Sequence, residues 1–152
     1  MNKEDVKQET LKHIERVEHF MHMAYTELMF KKYRHDESKL SDAEMPFFVK
    51  YTPKLERCTY GSDEYKTYLE EMKPALDHHY LVNRHHPEHF GEESVRGMNL
   101  VDLIEMLCDW RAATERHADG DILKSIEINQ KRFGYGDELK QILINTLEIL
   151  EK

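Results

Sequence analysis

The chain has 152 residues, a formal net charge of −8, and 39% hydrophobic against 34% charged residues, which fits one domain with its own core and excludes a membrane-embedded one. The acidic balance excludes broad binding of extended nucleic acid, which relies on Lys and Arg neutralising phosphates. No apolar run approaches the roughly 20 residues of a membrane helix, the start MNKEDVKQET is too polar for a signal peptide, and Cys58 and Cys108 form no disulfide framework or CxxC motif, so a reduced, cytoplasmic protein is expected.

Six glycines and four prolines, with no sustained β-branched alternation, predict helix almost throughout. From Val6 to about Phe30, the residues Val6, Ile14, Val17, Met21, Ala24 and Leu28 recur mostly at three- and four-residue steps and mark one buried face. His13 lies on the flank of that stripe, whereas His19 and His22 lie largely on the far side. Of the three, His13 is best placed to reach an interior site.

His35-Asp36 follows, then Glu37-Ser38-Lys39. An imidazole beside a carboxylate offers nitrogen and oxygen to one cation, which suits Zn, Mn, Fe or Ni better than a hard, oxygen-only Ca site. Ser41 to Glu44 has the capping-box pattern, opening a short helix that Pro46 and Pro53 interrupt or bound. Ser62 caps a helix through Tyr65, Leu69 and Met72, and Pro74 kinks it or starts a new helix to about His86.

Five of the ten histidines (His78, His79, His85, His86 and His89) fall in one short stretch. His79, Asn83 and His86 follow i, i+4, i+7 and continue the face of Tyr65, Leu69, Met72 and Leu76, while His78 and His85 point roughly opposite. Such a half-polar stripe is costly to bury unless its nitrogens have partners. A metal, or hydrogen bonds to a metal's ligands, supplies them.

Pro87 and residues 91–97 read as a loop, with Glu88 and His89 at a cavity rim. Asn99 precedes a helix from Leu100 to about His117 with Leu103, Ile104 and Leu107 as its core stripe. Asp102, Glu105 and Asp109 share the opposite face, and for Glu105 and Arg116 the solvated reading is taken. Asp109 sits among Met106, Trp110, Ala112 and Ala113, where a carboxyl pKa rises unless a cation holds it ionised. It is the preferred last ligand, with Asp102 the fallback. Asp119 to Asp121 form a turn, Ile122 to Phe133 a helix closed by Gly134, and Asp137 caps a last helix with Leu139, Ile142, Leu143, Leu147 and Leu150 inward. The fold expected is all-α: one domain over residues 1–152, a compact bundle of about six helices.

Taken in order, 10-TLKHIERVEHFM-21, 35-HDESK-39 and 108-CDWRAA-113 resemble the three ligand-bearing segments of the HD-domain superfamily of metal-dependent phosphohydrolases, with Ser38 where HDxGK has glycine. The stretch 85-HHPEHFG-91 is similar to the His-His-Glu segment of the cyclic-dinucleotide phosphodiesterase branch, but the Gly-Tyr-Pro signature of that branch is absent. The combined pattern also resembles a family of small proteins of bacteria and their phages, which speaks to architecture and not to substrate.

The HD resemblance implies that His13, His35, Asp36 and Asp109 hold a divalent transition cation (Mn, Fe, Co, Ni or Zn). His79 and His86 are then candidates for a second ion bridged by Asp36. It further implies hydrolysis of a nucleotide or other small phosphorylated metabolite by cation-activated water. Asp36, Lys39 and His86 are the candidate catalytic residues, Lys39 stabilising charge on the phosphate and His86 contacting substrate or donating a proton. A di-iron oxygenase and a non-catalytic metal- or nucleotide-binding helical domain are the alternatives, and oligomeric state is left open.

Overall fold

A run of 32 residues with neither Gly nor Pro forms one long helix, α1 (Lys3–Arg34). Asn2 caps it by accepting from the backbone N–H groups of Glu4 and Asp5. Acidic Glu4 and Asp5 at its start and basic Lys31, Lys32 and Arg34 at its end complement the helix dipole. In the computed structural model, which describes residues 2–58, 62–116 and 120–151, contacts divide the chain into two units, Met1–Arg34 and His35–Lys152. The first unit is α1 alone. Taken by itself, this unit has Val6, Ile14, Val17 and Met21 along one helix and no second element within it to cover them. Periodicity identifies residues that share a face; burial needs a second element laid against that face.

In the second unit the elements are a 3-10 turn η1 (Glu37–Leu40), α2 (Met45–Leu55), α3 (Asp63–Glu71), α4 (Lys73–Val82), a 3-10 segment η2 (Pro87–Gly97), α5 (Leu100–Thr114), α6 (Ile122–Phe133) and α7 (Asp137–Leu150). Among the described residues the structure is all-α without strands, with seven α-helices and two 3-10 segments where about six helices were expected. Two differences explain the count. Of the two readings of Pro74, the new helix holds over the kink, and Pro87 and residues 91–97, expected as loop, fall within a 3-10 segment broken at Gly91 and Ser94, both at positive φ.

Several ends follow local chemistry. Ser62 accepts from Tyr65 N at the start of α3, Asn99 and Asp102 form a capping box on α5, and Asp121 accepts from Leu123 and Lys124 N–H. Gly134 closes α6 in the left-handed conformation, φ 69°. Three expected ends move. Gly136, not Asp137, is the cap of α7. Glu44 does not complete a capping box with Ser41; its side chain makes no cap hydrogen bond and turns inward, fully buried. Helix α4 stops at Val82, not near His86. Asn83 is extended, its amide bonds back to the His79 carbonyl at 2.8 Å, and His86 is held extended before Pro87, as a residue preceding proline prefers. The expected turn residue Asp119 and the expected α5 terminus at His117 lie outside the described residues.

The apolar core joins η2, α5, α6 and α7. Val95, Met106, Leu107, Ile126, Tyr135, Leu143 and Leu147 are buried, with Trp110, Phe133, Leu139 and others packed on them. Each fully buried side chain of this size contributes about 1.5–3 kcal/mol, enough together to fix α5 in place. Ile142 and Leu150, expected inward, are exposed.

Candidate metal centre

The centre grows from the turn after α1. Asp36 caps η1 with φ 56°, a left-handed conformation that Asp tolerates better than most residues. Its carboxylate is the meeting point. Oδ1 lies 3.2 Å from His79 Nε2 and 3.4 Å from His85 Nε2; Oδ2 lies 3.5 Å from His35 Nε2 and 2.5 Å from Lys39 Nζ. His79 Nε2 is 3.0 Å from His86 Nε2, and His35 Nε2 is 3.7 Å from Asp109 Oδ1. Helix α4 supplies His79, the extended link to η2 supplies His85 and His86, and α5 supplies Asp109.

Two sets of ligand atoms each lie mutually within 4.8 Å: Asp36 with His79, His85 and His86, and Asp36 with His35 and Asp109. A third set joins His35, His85 and Glu105. The donors are imidazole-rich, a composition that favours Zn, Fe, Co or Ni over Mg or Ca.

The surrounding charges are set by burial and by neighbours. The carboxylates of Asp109 and then Glu105, facing the ring, raise the His35 pKa to about 10. Burial alone would raise the Asp36 carboxyl; His79, His85 and Lys39 outweigh it and hold it far below the carboxylate range. Asp109 is pushed up by burial and brought down past its ordinary value by His35. For His86, burial lowers the pKa to about 3, reinforced by His85 and His79. The ring is therefore neutral near pH 7 and carries a free lone pair, which suits a ligand better than a proton donor.

A simple test asks whether these groups are satisfied by one another. Asp36 Oδ1 and His85 Nε2 are both buried without a hydrogen-bond partner among the described residues, and their approach at 3.4 Å lacks hydrogen-bond geometry. Orphaned buried polar atoms cost about 1–3 kcal/mol each. A cation lodged among them would satisfy both, so the donor set fits a metal ion.

The structure thus brings together His35, Asp36, His79, His86 and Asp109, all expected from the sequence. Among the described residues no converging set includes His13, which belongs to α1, in the first unit. Lys39 sits beside Asp36, already paired with it. The fallback Asp102 does not join either. It is fully buried, accepting from Arg84 at 2.9 Å and from Asn99 N at 3.0 Å. Of the remaining histidines, His78 bonds Glu44 and His89 donates to the Tyr80 carbonyl at 3.1 Å.

Three residues were missed. His85, expected to point away, is buried at 1% exposure because α4 ends before it and the rotation of a helix no longer applies. Glu105, expected in solvent, is 11% exposed because the face of α5 opposite the core packs on the histidines. Glu44, assigned to a cap, bonds His78 and His79 instead. The Pro87 signal was sufficient to foresee the first; the other two needed the packing.

The chain belongs to a family of unknown function, DUF5662, whose model matches residues 2–152. No curated protein and no solved structure matches it. Among the described residues no helix is long and apolar enough to cross a membrane.

Proposed function

We propose that the protein is a metal-dependent phosphohydrolase of the HD type, acting on a nucleotide or another small phosphorylated metabolite. The supporting observation is the pair of buried polar atoms without hydrogen-bond partners, Asp36 Oδ1 and His85 Nε2, at the centre of a ring of imidazoles and carboxylates. The phosphoester substrate class rests on the resemblance of His35-Asp36-x-Ser38-Lys39 and the Asp109 helix to HD enzymes. A bound divalent cation lowers the pKa of its water toward neutrality and polarises a phosphoryl oxygen.

The chain's own residues would divide the remaining work. His79, His85 and His86 with Asp36, and His35 with Asp109, are the holding groups. Lys39, part-exposed at the edge of the centre, offers an ammonium to negative charge building on the phosphoryl group. Glu37 and Ser38 keep Lys39 one turn from Asp36 through η1, where Lys39 N donates to the Asp36 carbonyl at 2.9 Å.

Elemental analysis of the purified protein, paired with a phosphate-release screen over nucleotides and generic phosphoesters, tests the reading. A stoichiometric transition metal with phosphate release that disappears in Asp36→Asn is expected. Full metal content with no release from any phosphoester would overturn the hydrolase assignment, and oxygen consumption by an iron-loaded sample would favour a di-iron oxygenase instead.

A further inference from the structure

We infer that Glu44 and Glu105 are positioning residues that fix the tautomers of His35, His79 and His85, so that three Nε2 lone pairs converge on Asp36. This rests on the proposed cation centre but concerns residues outside its holding groups. Neither carboxylate was expected at the centre, and both contact it through the back of the imidazole rings.

His35 and His79 are hydrogen-bonded to a glutamate through Nδ1, and His85 turns its Nδ1 toward one at ion-pair distance. Glu105 Oε1 lies 3.0 Å from His35 Nδ1 and 3.2 Å from His85 Nδ1. Glu44 Oε2 lies 2.9 Å from His79 Nδ1, and its other oxygen 2.7 Å from His78 Nδ1. A carboxylate only accepts, and a neutral imidazole carries one N–H. Once a cation is bound and each ring is neutral, the proton that remains therefore sits on Nδ1, facing the glutamate, and the lone pair on Nε2, facing Asp36.

One competing donor lies near His79 Nδ1: the Asn83 amide nitrogen at 3.1 Å. Its two N–H groups are already engaged, one by Ser38 Oγ at 2.7 Å and one by the His79 carbonyl at 2.8 Å. No proton of Asn83 remains for Nδ1 to accept. Ser38 Oγ, 3.1 Å from the same nitrogen, accepts from Asn83 and keeps a rotatable O–H of its own. Glu44, nearer at 2.9 Å, can only accept, so an unprotonated Nδ1 would set lone pair against lone pair and Glu44 favours Nδ1–H on His79.

The consequence is preorganisation. With each Nδ1–H held by a glutamate, the rings present Nε2 to a cation without rotating, and partners of this kind typically alter metal affinity by about 10- to 100-fold. Glutamine keeps the shape but offers an N–H that can bond an Nδ1 lone pair and so release the opposite tautomer.

The test uses the full chain loaded with Zn(II) alone. In the wild type, long-range proton–nitrogen correlation spectra of the imidazoles should report Nδ1–H on His35, His79 and His85. Competitive titration should give Zn(II) binding weakened by about 10- to 100-fold in Glu44→Gln and in Glu105→Gln. Spectra with the proton on Nε2 of His79 or His85 in Zn-loaded wild type would overturn the inference while leaving the cation centre standing. Zn(II) affinity within twofold of wild type in both folded variants would do the same. Failure of wild type to take up Zn(II) or any other transition metal would remove the centre itself. Because the spectral arm needs no variant, misfolding of a glutamine substitution does not shelter the idea.

Discussion

Replacement of Asp102 is the sharpest probe of how the metal-centre loop is anchored. Its carboxylate is fully buried at the first turn of α5, where it takes hydrogen bonds from Arg84 at 2.9 Å and from Asn99 N at 3.0 Å. Arg84 immediately precedes His85 and also lies over the Phe90 ring at 4.9 Å, so this ion pair ties the histidine-bearing link to the α5 terminus. A hydrogen bond to a charged partner is worth about 1.5–3 kcal/mol. Arg84 is 44% exposed, so water recovers part of its hydration when Asp102 is lost and the lower end applies.

Asp102→Ala also removes half of the capping box, about 1 kcal/mol, for an expected loss of about 2.5 kcal/mol. Asp102→Asn, which keeps an acceptor for Asn99 N, should cost about 2 kcal/mol. Urea unfolding of wild type, Asp102→Asn, Arg84→Met and the double variant closes a cycle whose coupling should be about 1–2 kcal/mol. Zero coupling, or a loss under about 1 kcal/mol in Asp102→Ala, would refute the claim that this pair anchors the link.

Further expectations concern the core, pH and catalysis. Ile126 is completely buried, so Ile126→Ala should lower stability by about 3 kcal/mol, read from thermal unfolding, while a loss below about 1 kcal/mol would mean the site collapses around the cavity. Tyr135 donates its hydroxyl to the Ile126 carbonyl at 2.7 Å, and burial raises its pKa from 10.0 to about 12. Folding favours the neutral phenol, so this contribution is complete below pH 10 and lost as the pH rises through 12. Stability of wild type should therefore fall more steeply across that window than that of Tyr135→Phe; parallel curves would discard the assignment. Lys39→Met should retain metal by elemental analysis yet release phosphate about 100-fold more slowly, and an unchanged rate would take Lys39 out of the mechanism.

What the amino-acid order determined by itself was local: the helical class, the starts at Ser62, Asn99 and Asp121, the stop at Gly134, and the association of imidazole with carboxylate at His35-Asp36. These depend on residues within a few positions of one another, where capping and backbone preference act without distant partners. Five residues named for metal binding also converge, since His79 and Asp109 face inward on helices whose other stripes are apolar.

Tertiary structure alone decided the rest. The burial of His85 depended on α4 ending at Val82 and the chain folding back before Pro87. Glu105 left solvent and Asp102, the fallback ligand, went to Arg84 and the Asn99 N–H, because the polar face of α5 is an interior one. Glu44 surrendered a cap to bond two histidines that are distant in sequence. Periodicity tells which side chains share a face; only packing tells what that face meets, because burial is a property of pairs of elements and not of one.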